Sequence, residues 1–238
     1  MSSMQQEGQQ NLLLRRMDAS DFALIAPHLQ PFRMKQGTIL FRPEERVEYG
    51  HFFSDGIGSM VAISAEGQRV EAGLMGRDGF APTGFAMDDD RSPYEGTIQL
   101  SVTGHRIAAD HLRTALAASL GLRLCLQRFA HTLSVQSGFT ALSNAVHPIE
   151  ERLARWILMC DDRMASGELP LTHEFLSIML AVRRPSVTTA LHVLEGNGLI
   201  RAERGLILVR NRAALEVFAG DAYGKPEREY ERLLGPLR

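Results

Sequence analysis

Residues Leu171–Val209 read LTHEFLSIMLAVRRPSVTTALHVLEGNGLIRAERGLILV. Thr172 is placed to cap a helix whose apolar positions Phe175, Leu176, Met179 and Leu180 face inward. Ala181 and Val182 then form a tight turn. Pro185 opens a second helix, at a position where its missing N–H and fixed φ do no harm. That helix buries Val187, Leu191 and Leu194, and its other face carries Arg183, Arg184, Ser186, Thr188, Thr189 and His192. Those side chains are hydrogen-bond donors with hardly an acidic group among them, which suits phosphates and base edges in a major groove. Glu195-Gly196-Asn197-Gly198 stops the helix. The apolar runs on either side of Glu203-Arg204-Gly205 predict a β-hairpin wing, with Arg201 and Arg204 set to reach backbone phosphates. A solvated arginine face on a small helical subdomain would explain a charge cluster alone. It would not explain the ordered series of cap, helix, turn, donor-rich helix and basic hairpin, so the reading is DNA binding.

Working back towards the N-terminus, His147-Pro148 opens a helix with the buried stripe Ile149, Leu153, Trp156, Ile157, Cys160 and Met164, ended by Ala165-Ser166-Gly167. Before it, Leu112, Ala115, Ser119, Leu122, Leu126, Phe129, Leu133, Gln136 and Thr140 recur at spacings of three and four, the seam of a coiled-coil-like helix. Leu122, Leu126, Phe129 and Leu133 are therefore expected to face a second copy of the chain, while Leu116, Leu120 and Leu124 face the chain's own N-terminal domain. From Phe32 to Ile107 glycines punctuate short apolar runs. The expected strands are Thr38–Phe41, Tyr49–Ser54, Ser59–Ser64, Gln68–Leu74, Thr97–Thr103 and Arg106–Ile107, closing as a small β-barrel or jelly roll. A short helix over Asp18–Leu29, capped by Ser20, opens that domain. The expected class is α+β: a barrel over residues 18–110, a dimerisation helix over 111–143, a winged helix-turn-helix over 147–220 and a tail over 221–238.

Composition bounds the alternatives. At 238 residues, 45% hydrophobic and 23% charged, the chain fits two small globular domains rather than a disordered or fibrous protein. No run approaches the ~20 apolar residues of a membrane span, and the Gln-rich Met1–Asn11 is unlike an export signal, so a cytoplasmic protein without membrane contact is expected. Cys125 and Cys160 are too few for a disulfide framework or a four-thiolate iron–sulfur site. Net charge is −2, yet it is unevenly spread: residues 1–120 hold 11 Lys/Arg against 15 Asp/Glu, while 171–212 holds six Arg against three Glu. The basic end is the modest footprint of phosphate contact.

With these parts in order, the chain resembles the Crp/Fnr family of bacterial transcription regulators over roughly residues 20–215, most specifically in Leu171–Val209 and in HPIEERLARWIL (His147–Leu158). The resemblance implies a homodimer on a palindromic operator in double-stranded DNA, with RNA polymerase as a further partner, no cofactor and no catalysis. Departures matter as much. Family members that bind cyclic nucleotides carry Gly-Glu at the barrel's ligand helix, followed by Arg-Ser for the phosphate. Here Phe80 follows Gly79, and Arg91-Ser92, the candidate effector-pocket residues, follow Asp88-Asp89-Asp90, which would oppose an anion. The pair reads as part of a salt-bridged surface loop. Pro185 also replaces a Glu that many relatives present to cytosine. Two other classes remain in view: a barrel enzyme using Glu45, Glu48, His51 or His105 on a metal, whose spacing matches no defensible ligand set, and a sensor or adaptor that binds no DNA.

Overall fold

The computed structural model describes residues 5–164, 167–203 and 205–238. Two helices open the chain, α1 (Leu12–Arg16) and α2 (Ala19–Ile25). Asn11 caps α1, its side-chain oxygen accepting from Leu13 and Leu14 N–H while its amide donates to the carbonyls of Phe53 and Gly79 at 2.8 and 2.7 Å. All four of those bonds are buried, so a segment that looks merely polar in sequence is bolted into the core. α2 is preceded by Asp18 as cap residue, two positions before the expected Ser20.

The strands that follow are β1 (Gln30–Met34), β2 (Ile39–Phe41), β3 (Tyr49–Ile63), β4 (Arg69–Met75), β5 (Phe80–Ala81) and β6 (Glu95–Ala108). They form one antiparallel sheet in which β6 pairs with β1, β2 and β3, and β3 pairs also with β4 and β5. Four expected strands are thus two long ones. Glycine does not end β3: Gly56, at φ 88°, lies against the Ser101 carbonyl and Val102, and register shifts between Phe53 and Gly58 bend the strand at the place where the sequence predicts a turn.

The helical stretch that follows is broken. α3 (Ala109–Ala118) gives way at Ser119, whose extended backbone breaks the helix and whose side chain caps α4 (Leu120–Val146) by accepting from Leu122 N–H. The two apolar sets on α4 are reversed from expectation. Leu122, Leu126, Phe129 and Leu133 are 0–3% exposed against the chain's own sheet, whereas Leu120 and Leu124 are 68% and 41% exposed. Shape explains the reversal. Gly79 leaves room for the Phe129 ring, which a Cβ would overlap, Phe80 packs on that ring at 5.7 Å, and Gln136 clasps both backbone groups of Leu74. Leu116, on α3, is buried as expected.

The C-terminal unit comprises α5 (Ile149–Arg163), β7 (Glu168–Leu169), α6 (His173–Met179), α7 (Arg184–Gly196), β8 (Ile200–Glu203), β9 (Leu206–Val209), α8 (Arg212–Ala219) and α9 (Lys225–Leu234). Its core gathers Leu153, Ile157, Leu176, Val187, Leu191, Leu194 and Leu215, and it continues onto Ile57, Leu74 and Leu100 of the N-terminal sheet. Between the two halves lies a buried polar seam. Glu71 accepts from Ser59 Oγ at 2.6 Å and Trp156 Nε1 at 3.2 Å, Arg155 donates to Thr140 at 3.0 Å, and Arg163 pairs with Asp78 at 2.9 Å. Residues 221–238 are not a tail. α9 packs back along α4, burying Tyr230 and Leu237, and the Tyr230 hydroxyl donates to the Asp78 carbonyl.

Candidate nucleic-acid interface

α6, its turn and α7 are built from short-range rules. Thr172 Oγ1 accepts from Phe175 N–H, and Leu176 and Met179 are buried while Phe175 is only half-buried. The turn passes through Ala181 at φ 51°, a left-handed conformation that costs an L-residue with a Cβ about 1 kcal/mol or more. Pro185 then occupies the first turn of α7, where no intrahelical donor is needed. Val187, Ala190, Leu191 and Leu194 all lie on the buried side of α7.

The opposite side of α7 brings most of the expected contact residues to the surface together. Arg183, Arg184, Thr189 and His192 are exposed, and Ser186 and Thr188 are half-buried. Their hydrogen bonding divides them. Thr188 and Thr189 donate to the carbonyls of Arg184 and Pro185, at 3.2 and 3.1 Å, so their methyl groups and lone pairs are what they offer outward. Thr188 Oγ1 also lies 3.1 Å from His173 Nδ1. Arg184 is not free: its guanidinium sits 2.9 Å from Glu174 of α6, with both side chains more than 60% exposed. That acidic partner, eleven positions upstream of Pro185, is invisible in a reading of α7 alone.

The wing stands beside this face. β7, β9 and β8 make a three-stranded antiparallel sheet, and Glu195 at the end of α7 accepts from Ala202 N–H at 3.0 Å, fixing wing to helix. Arg201 projects from β8 and pairs with Glu203 at 2.8 Å, both well exposed. Arg204 lies outside the described residues.

This geometry, two helices across a tight turn with a donor-bearing second helix and a hairpin beside it, is that of a winged helix-turn-helix. Residues 151–218 match the family described as the Crp-like helix-turn-helix domain. Residues 151–218 form a Crp-like helix-turn-helix domain. Over about four-fifths of the chain the fold agrees, since the arrangement of sheet, long helix and C-terminal helix-turn-helix recurs in solved structures of Crp/Fnr regulators. FixK2 from Bradyrhizobium japonicum superposes with a TM-score of 0.68 at 16% identity, over 80% of this chain and 96% of that one. A CRP-family transcriptional regulator from Thermus thermophilus gives 0.64 at 16% identity over 79% and 96%. CLP, the c-di-GMP-responsive global regulator of Xanthomonas campestris, gives 0.62 at 16% identity over 81% and 99%. No curated protein matches the chain.

The remaining expected site residues are placed differently. Arg91 is exposed and donates to the Glu44 carbonyl at 2.7 Å, and Ser92 Oγ accepts from Tyr94 N–H. They belong to a loop in which Asp90 bridges Arg46 and Arg113. Among the described residues no three His, Cys, Asp or Glu side chains converge on a metal position, so Glu45, Glu48, His51 and His105 are not brought together as a ligand set. Among those residues, no helix is long and apolar enough to cross a membrane.

Proposed function

We propose that the protein is a homodimeric, sequence-specific transcription regulator that inserts α7 into the major groove of duplex DNA. The observation that carries this is the division of α7 within a Crp-like domain: four apolar side chains inward, and Arg183, Arg184, Ser186, Thr189 and His192 outward beside a wing. Arg184, at the first turn of α7, is the bidentate contact to a guanine. Arg183, Ser186, Arg201 and Arg204 contact phosphates, and Thr188, Thr189 and His192 complete the face. Two such helices about a two-fold axis reach successive major grooves about 34 Å apart, so the operator is an inverted repeat. RNA polymerase as the partner of the bound dimer, and the cytoplasm as the compartment, follow from the resemblance to the family.

For the dimer contact we infer the outer stripe of α4. Leu120, Leu124, Leu142 and Val146 are all well exposed, and at ~100° per residue they fall within about 80° of arc on one side of the helix. A cyclic nucleotide is not the expected effector. Arg91 is turned to the Glu44 carbonyl, no Glu follows Gly79, and the Phe129 ring fills the space over Gly79.

Selection from randomised duplexes tests this function. A palindromic consensus bound with a steep salt dependence is expected; binding without sequence preference, or none at low salt, would remove the assignment.

A further inference from the structure

Glu71 of β4 is 4% exposed and lies where the sheet meets α5 and α6. Its Oε2 is 2.6 Å from Ser59 Oγ, its Oε1 accepts from Trp156 Nε1 at 3.2 Å, and Ser59 Oγ is in turn 3.8 Å from Met179 Sδ of α6. Ser59, Trp156 and Met179 are as buried as Glu71 itself. The charged groups that face this carboxyl are on α5, and both are engaged elsewhere. Arg155 donates to Thr140, and Arg163 is paired with Asp78. Cys160 of α5, whose thiol burial pushes up, and Glu227 of α9, buried beside the same two arginines, add no positive charge. From α6 only Met179 reaches the cluster through a hydrogen bond, while His173 and Glu174 lie exposed at the other end of that helix. Burial outweighs the two hydrogen bonds and the arginines and raises the pKa of Glu71 to about 7. The number of protons in the seam therefore changes near neutral pH.

Ser59 has a single hydroxyl hydrogen, and two acceptors compete for it. When Glu71 is protonated, its own O–H donates to Ser59 Oγ, which leaves the Ser59 hydrogen to Met179 Sδ. When Glu71 ionises, the carboxylate is much the stronger acceptor and takes that hydrogen, so the sulfur loses its donor. The ionised form also encloses a charge without a hydrogen-bonded counter-ion, which is costly until water or an arginine reaches it. Both effects act on the contact between α6 and the sheet. We propose that Glu71 and Ser59 form a proton-operated latch, which when protonated seats α6 on the sheet through Met179 and when ionised releases that contact and loosens the helix-turn-helix. The seated form holds the proton more tightly than the released one, so seating is favoured at low pH and is lost as pH rises through about 7. The latch goes beyond the proposed function and does not rest on it, since α6 is seated or released with no DNA present.

Trp156 is the chain's single tryptophan, and its indole N–H rests on Glu71, so its fluorescence reports this carboxyl in the full chain without a label. Emission followed across neutral pH should show one step centred at about 7, absent from Glu71→Gln. Hydrogen exchange, corrected for its intrinsic pH dependence, should show α6 losing protection at least about threefold from about pH 6 to 8 in the wild type and not in Glu71→Gln. That comparison cancels any contribution from His173, which contacts Thr188 from the first turn of α6. Met179→Leu keeps Glu71 and nearly the same volume, so it tests the link itself. Its tryptophan step should remain while the change in α6 protection shrinks at least about twofold. This variant decides the matter even if Glu71→Gln fails to fold. The proposal is overturned if the emission shows no step, if α6 keeps its protection across neutral pH, or if the loss in Glu71→Gln or Met179→Leu equals that of the wild type.

Discussion

The winged unit and the body beneath it both pack helices against antiparallel strands, yet they place their side chains by different rules. In α6 and α7 the buried side is covered largely by α5, by the partner helix and by the wing, although Met179 also meets Ser59 of the sheet, so helical period goes far in sorting inside from outside. On α4 the period is just as regular, but the surface covering each stripe comes from β4, the Gly79–Phe80 segment or α9, between about 50 and 100 residues away. Regular spacing identifies which side chains share a face. It does not say whether the chain itself or a second molecule covers that face.

The sharpest break between the two stripes of α4 is a pair of charge insertions. Phe129→Asp would put an unpaired carboxylate against Phe80 and Gly79 at a site 1% exposed and should cost more than about 4 kcal/mol, leaving no cooperative thermal transition near that of the wild type. Leu124→Asp combined with Leu142→Asp touches only exposed positions and should keep the fold, while sedimentation should show monomers in place of dimers. A dimer that persists in the double variant takes the outer stripe out of the interface. A well-folded Phe129→Asp monomer would restore the seam to Leu122, Leu126, Phe129 and Leu133.

The seam between the halves offers a second contrast, this one in pH. Glu71 is fully enclosed, and burial raises its pKa to about 7 against the opposing Ser59 and Trp156 hydrogen bonds and the charges of Arg155 and Arg163. Its folded value lies above the unfolded one, so the folded state holds the proton more tightly. Stability should therefore fall as pH rises between about 4.5 and 7, by up to about 3 kcal/mol from this group. His51 slopes the other way: its value is depressed to about 4, so its contribution rises with pH between about 4 and 6.5. Glu71→Gln keeps an acceptor for Trp156 and removes the titration. Denaturation of both proteins across this range should give a difference in stability that grows with pH in favour of the variant, and a difference independent of pH would show that Glu71 stays ionised in the fold.

How much was legible follows from the same division. The cap at Thr172, the buried side of α7 and the hairpin were open to sequence reading because each is local. The sheet was legible as to class but not count, since Gly56 permits a bend that reads like a turn. Leu12, Leu13 and Leu14 are buried, yet a run of five helical residues behind a polar segment has no period to detect. α9 is so charged that its buried Pro226, Glu227 and Tyr230 look like part of a solvated tail. Among the contact residues, periodicity collected the outward face of α7 but not Glu174, because no spacing rule links positions on two helices across a turn.

On DNA, the outward face should separate into two behaviours. Arg184→Ala is expected to cost about 1–3 kcal/mol on the selected operator and to relax preference at one base position. Arg201→Ala, on the wing, should weaken all sequences alike and reduce the slope of affinity against salt by about one phosphate's worth. Repeating the selection with each variant checks the assignment. Equal loss of base preference in both would mean that the reading side chains are others on α7, with Thr189 and His192 next in line.

The smallest effect concerns Glu174, an acidic group on the proposed DNA-facing surface that pairs with the proposed reading side chain. Glu174 holds the Arg184 guanidinium at 2.9 Å, and for Arg184 to reach a guanine that contact must be given up or shared. Exposed pairs of this kind are weak and screened by salt, so the fold should be indifferent to Glu174→Gln. Binding should not be. Removing the carboxylate frees the guanidinium and takes a negative charge away from the approaching phosphates, so Glu174→Gln should tighten operator binding by a factor of about two to five at low salt, with the gain shrinking as salt rises. The gain should vanish in an Arg184→Ala background if it works through Arg184, and it should persist if Glu174 acts only by repelling the DNA backbone. Fluorescence titration of the two single variants and the double variant at two salt concentrations distinguishes these, and weaker binding by Glu174→Gln would instead mean that the pair holds Arg184 in its reading position.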